Sequence, residues 1–410
     1  MGIYQDLGLT PIINAAGTAT RLGGPLMADE TVQAMAEAAR ECVSMDQLQA
    51  AASNLIAGIT GAEAGYVTAG AASALTLATA ACICGLDLGK MERLPHTDGM
   101  PNEVIIPREH RSGYDHAIRA AGARLVEVGM NEQVAGAGAR RTESWEIEAA
   151  FGENTVAVAY CVTAGSQPPL EEVIALCRQR GVPVIVDAAA ELPPVSNLRK
   201  FIALGADLVA FSGGKAIRGP QSTGILIGRR DHIMSAALQH LDLDEHWRTW
   251  DPPPSLIDRD RIPGLPRHGL GRGFKVAREE IVALLVALRS FSEGRHVEDA
   301  PRLTRHLEII VDAMDGLDHV STRRSTPPAE EGYPTLEIRI DEQKLGRSAF
   351  DVCRQLKRGS PPVYVAEGGL ALGVLVINPL NLNDLRLHQL IGRLKDVLKP
   401  HSQTENSDLR

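Results

Sequence analysis

The stretch VAFSGGKAIRGPQSTGILIG, residues 209–228, sets Lys215 behind two glycines, directly after an apolar run that reads as a buried strand. Lysine is among the residues least often buried, so its place there needs a reason. Asp187 closes the preceding apolar run, VPVIVD, 28 positions earlier. An amine and an acid that emerge from neighbouring strand ends suit pyridoxal phosphate. The amine forms a Schiff base with the aldehyde, and the acid keeps the pyridine nitrogen protonated so that the ring can take up carbanion charge. A desolvated amine is also a competent nucleophile and base. Singly, each residue has a plainer reading: Asp187 as the cap of the next helix, Lys215 as a solvated loop lysine. Together, beside glycines that let backbone approach a ligand, they favour the cofactor.

A phosphate needs its own cradle. TAGAASAL, residues 68–75, places Gly70, Ala71, Ala72 and Ser73 at the start of an Ala-rich segment that reads as a buried helix beginning near Ala72. Free backbone N–H groups and the helix dipole favour an anion there. Ser212, three residues before Lys215, offers another hydroxyl. The plainer reading of each serine is an N-cap, which for Ser73 taken alone weighs evenly with a phosphate contact. Two other phosphate patterns fail: GLDLGKM (85–91) is one residue short of a P-loop and lacks its hydroxyl, and GAGARR (136–141) lacks the last glycine of a dinucleotide fingerprint.

The elements that must position these residues form an α/β pattern. EVIIP (103–107), ARLVEVG (123–129), TVAVAY (155–160), VPVIVD (182–187), ADLVAFS (206–212) and TGILIG (223–228) read as strands. GYDHAIRAAG, SWEIEAAFG, PLEEVIALCRQRG and NLRKFIALG between them read as helices ending near glycine. Strands apolar on both faces, alternating with helices, predict a mostly parallel sheet whose ligands lie beyond its carboxyl edge. Residues 28–60 read as helical, 232–272 as a proline- and charge-rich region with a long loop, and 275–290 as a long helix. From 300 to 400 a helix, PTLEIRI, a second helix, PVYV, GVLVIN and a last helix from 383 form a smaller α/β domain. The expected organisation is an N-terminal arm (1–30), a large domain (31–290), a small domain (291–400) and a polar tail (401–410).

Composition narrows the class. The chain has 410 residues, 44% hydrophobic and 23% charged, ample for two or three cores. A net charge of −9, dispersed basic residues and 4% aromatics argue against nucleic acid as the main partner. No stretch approaches the length of a membrane span, and no leader-like start is visible. Six scattered cysteines lack paired zinc spacing, so no metal is expected and a reducing, cytoplasmic setting is.

VIVDAAAELPP, FSGGKAIRGPQSTGILIGR, INAAGTATRLGG, REHRSGYDHAIRAAGARLVEV and GRGFKVAREEIVALLVAL together resemble the pyridoxal-phosphate enzymes related to bacterial L-seryl-tRNA selenium transferase, nearest the D-glucosaminate-6-phosphate ammonia-lyase branch. The resemblance covers residues 3 to 400, and S-x-x-K followed by R-G-P-Q-[ST]-G is its most specific part. It implies fold type I, with a seven-stranded, mainly parallel sheet, a smaller C-terminal domain, and at least a homodimer with sites at the subunit interface. Lys215 is then the Schiff-base lysine, Asp187 the pyridinium partner, and Ser73 and Ser212 phosphate contacts. Gly219, Pro220 and Gln221 reach a neighbouring subunit's cofactor, and His110 lies against the ring face; His116 reads as structural. Asn14, Thr18, Thr20 and Arg21 match the family's substrate loop in general form.

Arg272 and Arg339 are candidates for a substrate carboxylate or phosphate, because guanidinium binds such groups bidentately; a strand arginine such as Arg339 otherwise reads as a surface residue. The chain departs from many relatives in PPVYVAEGG, where Ala366 and Glu367 stand in a region that carries an arginine elsewhere. A different acid-binding arrangement or a less acidic substrate follows. The implied activity is α,β-elimination from a β-hydroxy amino acid, such as an aminosugar acid (D-glucosaminate or its 6-phosphate), to a 2-oxo acid and ammonia. A racemase, aldolase or transferase shares the same first steps. A cofactor-binding protein without turnover is the alternative from another class. Transfer to tRNA is disfavoured, since the chain is acidic and opens almost directly on TPIINAAGT.

Overall fold

The computed structural model describes residues 2–130 and 141–399; most of the GAGARR motif and the predicted tail lie outside them. In chain order the strands are β1 (Ile13–Ala15), β2 (Ala64–Thr68), β3 (Glu103–Pro107), β4 (Arg124–Val128), β5 (Thr155–Cys161), β6 (Val184–Asp187), β7 (Leu208–Ser212), β8 (Gly224–Gly228), β9 (Val320–Ser325), β10 (Thr335–Ile340), β11 (Val363–Val365) and β12 (Val374–Ile377). Two compact units result: Met27–Glu293, and Met1–Leu26 together with the chain from Gly294.

The larger unit is built on a seven-stranded sheet of order β2-β8-β7-β6-β5-β3-β4. Neighbours run parallel except at β8, which is antiparallel to both β2 and β7. The six predicted strands all form within a residue or two of their expected limits; five are apolar runs that are largely buried, while β4, at the sheet edge, buries only Val128. The helices between them end as expected: Gly181 and Gly205 take left-handed conformations after Leu170–Arg180 and Asn197–Leu204. The Gly70–Cys84 helix is buried from Ser73 to Ala81, and its alanines let it lie close on the sheet, where Leu77 and Ala78 join Leu208, Ala210 and Leu226 in the core. Each leucine fully buried in this way contributes about 1.5–3 kcal/mol.

Several expectations are corrected. The 28–60 region is two helices, Asp29–Ala38 and Met45–Thr60, the second capped by the Ser44 hydroxyl. The buried helix begins at Gly70, two residues before Ala72. The 232–272 region opens on a helix, Arg230–His240, whose residues from Ile233 to His240 are all buried; without a polar face it carries no amphipathic period. The loop beyond it is pinned by Arg259, whose guanidinium lies 4.3 Å from the centre of the Trp247 ring. AGYVT, which forms β2, completes the sheet.

In the smaller unit, β12-β10-β9 is an antiparallel sheet and β1 pairs in parallel with β11, Asn14 opposite Tyr364. Leu307 and Ile310 of Ala300–Met314, Val352 and Leu356 of Ala349–Arg358 and Leu390 and Leu394 of Asp384–Val397 close its core. β9, VSTRRS, is too polar to read as a strand in advance and lies at the sheet edge.

Candidate cofactor site

The sheet register gathers the chemistry-bearing residues at one edge. Asp187 ends β6 opposite Ala210 of β7 on one side and Cys161, the last residue of β5, on the other. Lys215 lies three residues past β7, and His110 ends the short turn Arg108–His110 that follows β3. Because β8 reverses direction, Thr68 at the end of β2 pairs with Gly224 at the start of β8, so the Gly70–Cys84 helix starts from the same edge. This is where open α/β sheets bind ligands.

The lysine sits in a tight turn. Gly213 N–H donates to the Thr223 carbonyl at 2.9 Å, Gly219 N–H to the Gly213 carbonyl at 2.9 Å, and the Thr223 hydroxyl to the Pro220 carbonyl at 2.7 Å. A Cβ at Gly214 would fall 2.5 Å from Gln221 Cα, so the two arms of the turn touch backbone to backbone. Arg218 has φ +61°, a left-handed conformation costly for a residue with a side chain. Lys215 itself is half-buried.

Asp187 Oδ1 accepts the Ala189 N–H at 3.0 Å. Burial pushes its carboxyl above the usual range, while that N–H and the Lys215 charge pull it back. A partner of positive charge therefore has much to stabilise at this carboxyl. Asp187 lines a small cavity of about 20 Å³ with His110, Asp115, Tyr160 and Cys161. His110 is buried, meets the Tyr160 ring edge-on at 4.5 Å, and accepts the Cys161 N–H on Nδ1 at 3.4 Å. Burial lowers its pKa to about 4 against the pull of Glu109 and the Gln167 carbonyl, so the ring is neutral near pH 7.

A phosphate fits at the start of the Gly70–Cys84 helix. Ala69 makes no side-chain cap there, leaving first-turn N–H groups open to an anion. Ser73 is buried, yet its hydroxyl has no hydrogen-bond partner among the described residues. A Cβ at Gly224 would lie 2.3 Å from the Gly70 carbonyl carbon, so β8 presses its bare backbone against this turn. Gly70, with φ +85°, makes the bend; Ala72 is exposed, and Ser212 is half-buried at the end of β7. An unsatisfied hydroxyl, open N–H groups, a lysine at the same sheet edge and a half-buried carboxyl meet what pyridoxal phosphate requires. Gly219 and Gln221 lie in the lysine turn.

The remaining candidates divide. Arg272 is held by Asp242, with Nε at 3.0 Å from Oδ2, beside a cleft of about 340 Å³ also lined by His240 and Lys275. Asn14, Thr18, Thr20, Arg21 and Arg339 belong to the smaller unit. Asn14 is buried and shapes its own loop, donating to the Gly17 and Gly24 carbonyls and accepting the Ala16 N–H. Thr18 is half-buried, while Thr20 is exposed at the start of a 3-10 turn. Arg21 pairs with Glu367, whose carboxyl is held low by Lys357 first and Arg21 second. Arg339 is exposed and donates to the Leu372 carbonyl at 3.3 Å. His116 is exposed against Arg119. Tyr160, Asp115 and Glu280 carry no signal of their own in the sequence, and Cys161 reads there only as one of six scattered cysteines, although the strand-end rule that picks out Asp187 applies to it equally.

Residues 102–245 match the aminotransferase class-V family model. The chain is 31% identical to a Streptomyces 5'-C-glycyluridine monooxygenase-decarboxylase, over 97% of this chain and 92% of that protein. It is 30% identical to the D-glucosaminate-6-phosphate ammonia lyase of Salmonella typhimurium, over 96% and 97%. A solved structure of D-glucosaminate-6-phosphate ammonia-lyase superimposes with a TM-score of 0.79 at 28% identity, over 97% of this chain and 98% of that one. With the lysine turn, the half-buried carboxyl and the open helix start at one sheet edge, these matches establish that the chain belongs to the fold type I pyridoxal-phosphate enzymes, in the group that contains D-glucosaminate-6-phosphate ammonia-lyase.

Proposed function

We propose that the chain is a pyridoxal-phosphate-dependent ammonia-lyase acting on a β-hydroxy amino acid of the aminosugar-acid class, with Lys215, Asp187 and His110 as its catalytic residues. The observation that carries this reading is the placement of Asp187 at the end of β6 and Lys215 just past the end of the neighbouring β7, at the sheet edge where a buried serine hydroxyl has no partner among the described residues. Bound there, pyridoxal phosphate supplies an electron sink for the pair left on the substrate's α-carbon. Ser73, the first-turn N–H groups and Ser212 hold its phosphate, and Asp187 balances a positive charge at the ring nitrogen. Lys215 Nζ takes the α-proton, and in protonated form it gives that proton to the departing β-hydroxyl, which leaves as water. Hydrolysis of the resulting enamine returns one water, so the net products are a 2-oxo acid and ammonia. His110, neutral and packed on Tyr160, lies against the face of the cofactor ring.

The protein acts as a homo-oligomer of at least two copies, with Gly219, Pro220 and Gln221 facing the neighbour. A cytoplasmic setting suits its six free cysteines, and no helix among the described residues is long and apolar enough to cross a membrane. The Streptomyces relative supports a second reading, oxygen-dependent decarboxylation of an amino acid at the same residues.

One experiment separates the two. Cofactor-loaded protein is given D- and L-hydroxy amino acids and aminosugar acids, with and without phosphate, while ammonia, 2-oxo acid, oxygen and carbon dioxide are followed. Equal release of ammonia and 2-oxo acid without oxygen uptake is expected. Oxygen consumption matched by carbon dioxide would replace the lyase reading with the second.

A further inference from the structure

The turn that carries Lys215 is tied at its far end to a helix 58 residues away in sequence. Ser222 Oγ donates to Glu280 Oε1 at 2.6 Å, while Glu280 Oε2 accepts the Ala277 N–H at 3.3 Å. Glu280 lies in the first turn of the Arg278–Ser292 helix. One helical turn on, Leu284 touches the same lysine turn: a Cβ at Gly213 or Gly219 would lie 2.6 or 2.9 Å from its Cδ1. One face of one helix therefore contacts the lysine turn twice.

Ser222 also borders the phosphate cradle. Its carbonyl is 3.6 Å from where a Cβ of Gly70 would stand, and two residues later Gly224 abuts Gly70 and Ala71. The segment that Glu280 grips thus joins the attachment point for the aldehyde to the cradle for the phosphate. A cofactor held at both ends binds tightly only if the two holds are set at the right separation beforehand; otherwise part of the binding energy is spent on ordering the turn.

We propose that Glu280 is a positioning residue for the cofactor. Through Ser222 it fixes the spacing between Lys215 and the first turn of the Gly70–Cys84 helix. This rests on Lys215 being the attachment point, which hydride reduction and peptide mapping of the unaltered protein test first; label elsewhere would defeat the site assignment, and this inference with it.

With that label found at Lys215, the full chain is compared with E280A, E280Q, S222A and the double variant E280A/S222A. Cofactor affinity is read by absorbance titration of the cofactor-free protein, whose melting temperature is measured in parallel. E280A and S222A should each weaken binding by about tenfold, the size of one hydrogen bond. The double variant should be no worse than either single change. E280Q, whose amide oxygen still accepts from Ser222, should bind nearly as the parent does. Parental affinity in both E280A and S222A, or losses that multiply in the double variant, would overturn the proposal. So would a lowered melting temperature in E280A with parental affinity in S222A, the pattern of a helix cap alone.

Discussion

Gly224 of β8 and Gly70 at the start of the buried helix are in backbone contact: a single added carbon at position 224 would stand 2.3 Å from the Gly70 carbonyl carbon and 2.6 Å from the Ala71 nitrogen. The antiparallel strand β8 is what brings them together, because its reversed direction puts its first residue at the carboxyl edge of the sheet.

Gly224→Ala should therefore destabilise the protein by about 1–3 kcal/mol, the usual cost of overpacking. Urea unfolding of the cofactor-free protein measures it. An unchanged midpoint would mean that the helix start can retreat without cost.

Lys215→Ala should abolish covalent attachment of the cofactor and reduce turnover by three orders of magnitude or more, on the order of what losing both nucleophile and proton carrier costs. The variant should lose its colour on dialysis. Retained turnover would remove Lys215 from the chemistry.

Asp187→Asn keeps the shape and an oxygen for the Ala189 N–H but removes the charge proposed to balance the ring nitrogen. We expect kcat to fall by at least about 100-fold, with a smaller change in KM. A variant with parental kcat would show that the ring nitrogen needs no anion here.

Ser73→Ala deletes a buried hydroxyl that has no hydrogen-bond partner among the described residues. Removing an unsatisfied polar group costs little or nothing, so the melting temperature without cofactor should hold or rise. Cofactor affinity should fall by about fivefold to tenfold, the worth of one hydrogen bond to phosphate. Loss of stability without loss of affinity would return Ser73 to a purely structural role.

His110 carries a pH signature. Its pKa falls from 6.5 to about 4 on folding, so between those values the unfolded chain binds more protons than the folded one. Its contribution is complete above about pH 6.5 and is lost as the pH falls through 4, on the order of 3 kcal/mol in all. Asp187, raised by burial, works in the opposite sense, losing stability as the pH rises. His110→Gln should flatten the decline of melting temperature between pH 6.5 and 4; an unchanged decline would place the acid sensitivity elsewhere.

What could be read in advance follows from how local each signal is. β3 and β5 to β8 are apolar runs bounded by glycine, proline or charge, and Asp187 and Lys215 gained meaning from standing at their ends. The Arg230–His240 helix was hidden because burial on all sides erases the period that marks a helix. β2 is hidden because AGYVT runs almost directly into an alanine-rich helix, with only Ala69 between them to mark where strand ends and helix begins. The pairing of Ser222 with Glu280, and of Arg21 with Glu367 across 346 positions, depends on chain folding that no short window contains. Glu367, noted first as a departure from relatives, neutralises the arginine that the N-terminal loop offered for a substrate acid.

The parallel pairing of β1 with β11 gives the polypeptide a nested layout. The larger unit is in effect an insertion, entered after Leu26 and left before Gly294, so neither end of the smaller unit is complete without the other. A fragment cut at Gly294 would leave β11 with an open edge and bare the apolar contacts that Ile13 and Ala15 now fill, whereas excising 27–293 and bridging the gap would keep both pieces of that hydrophobic centre on one strand of polypeptide.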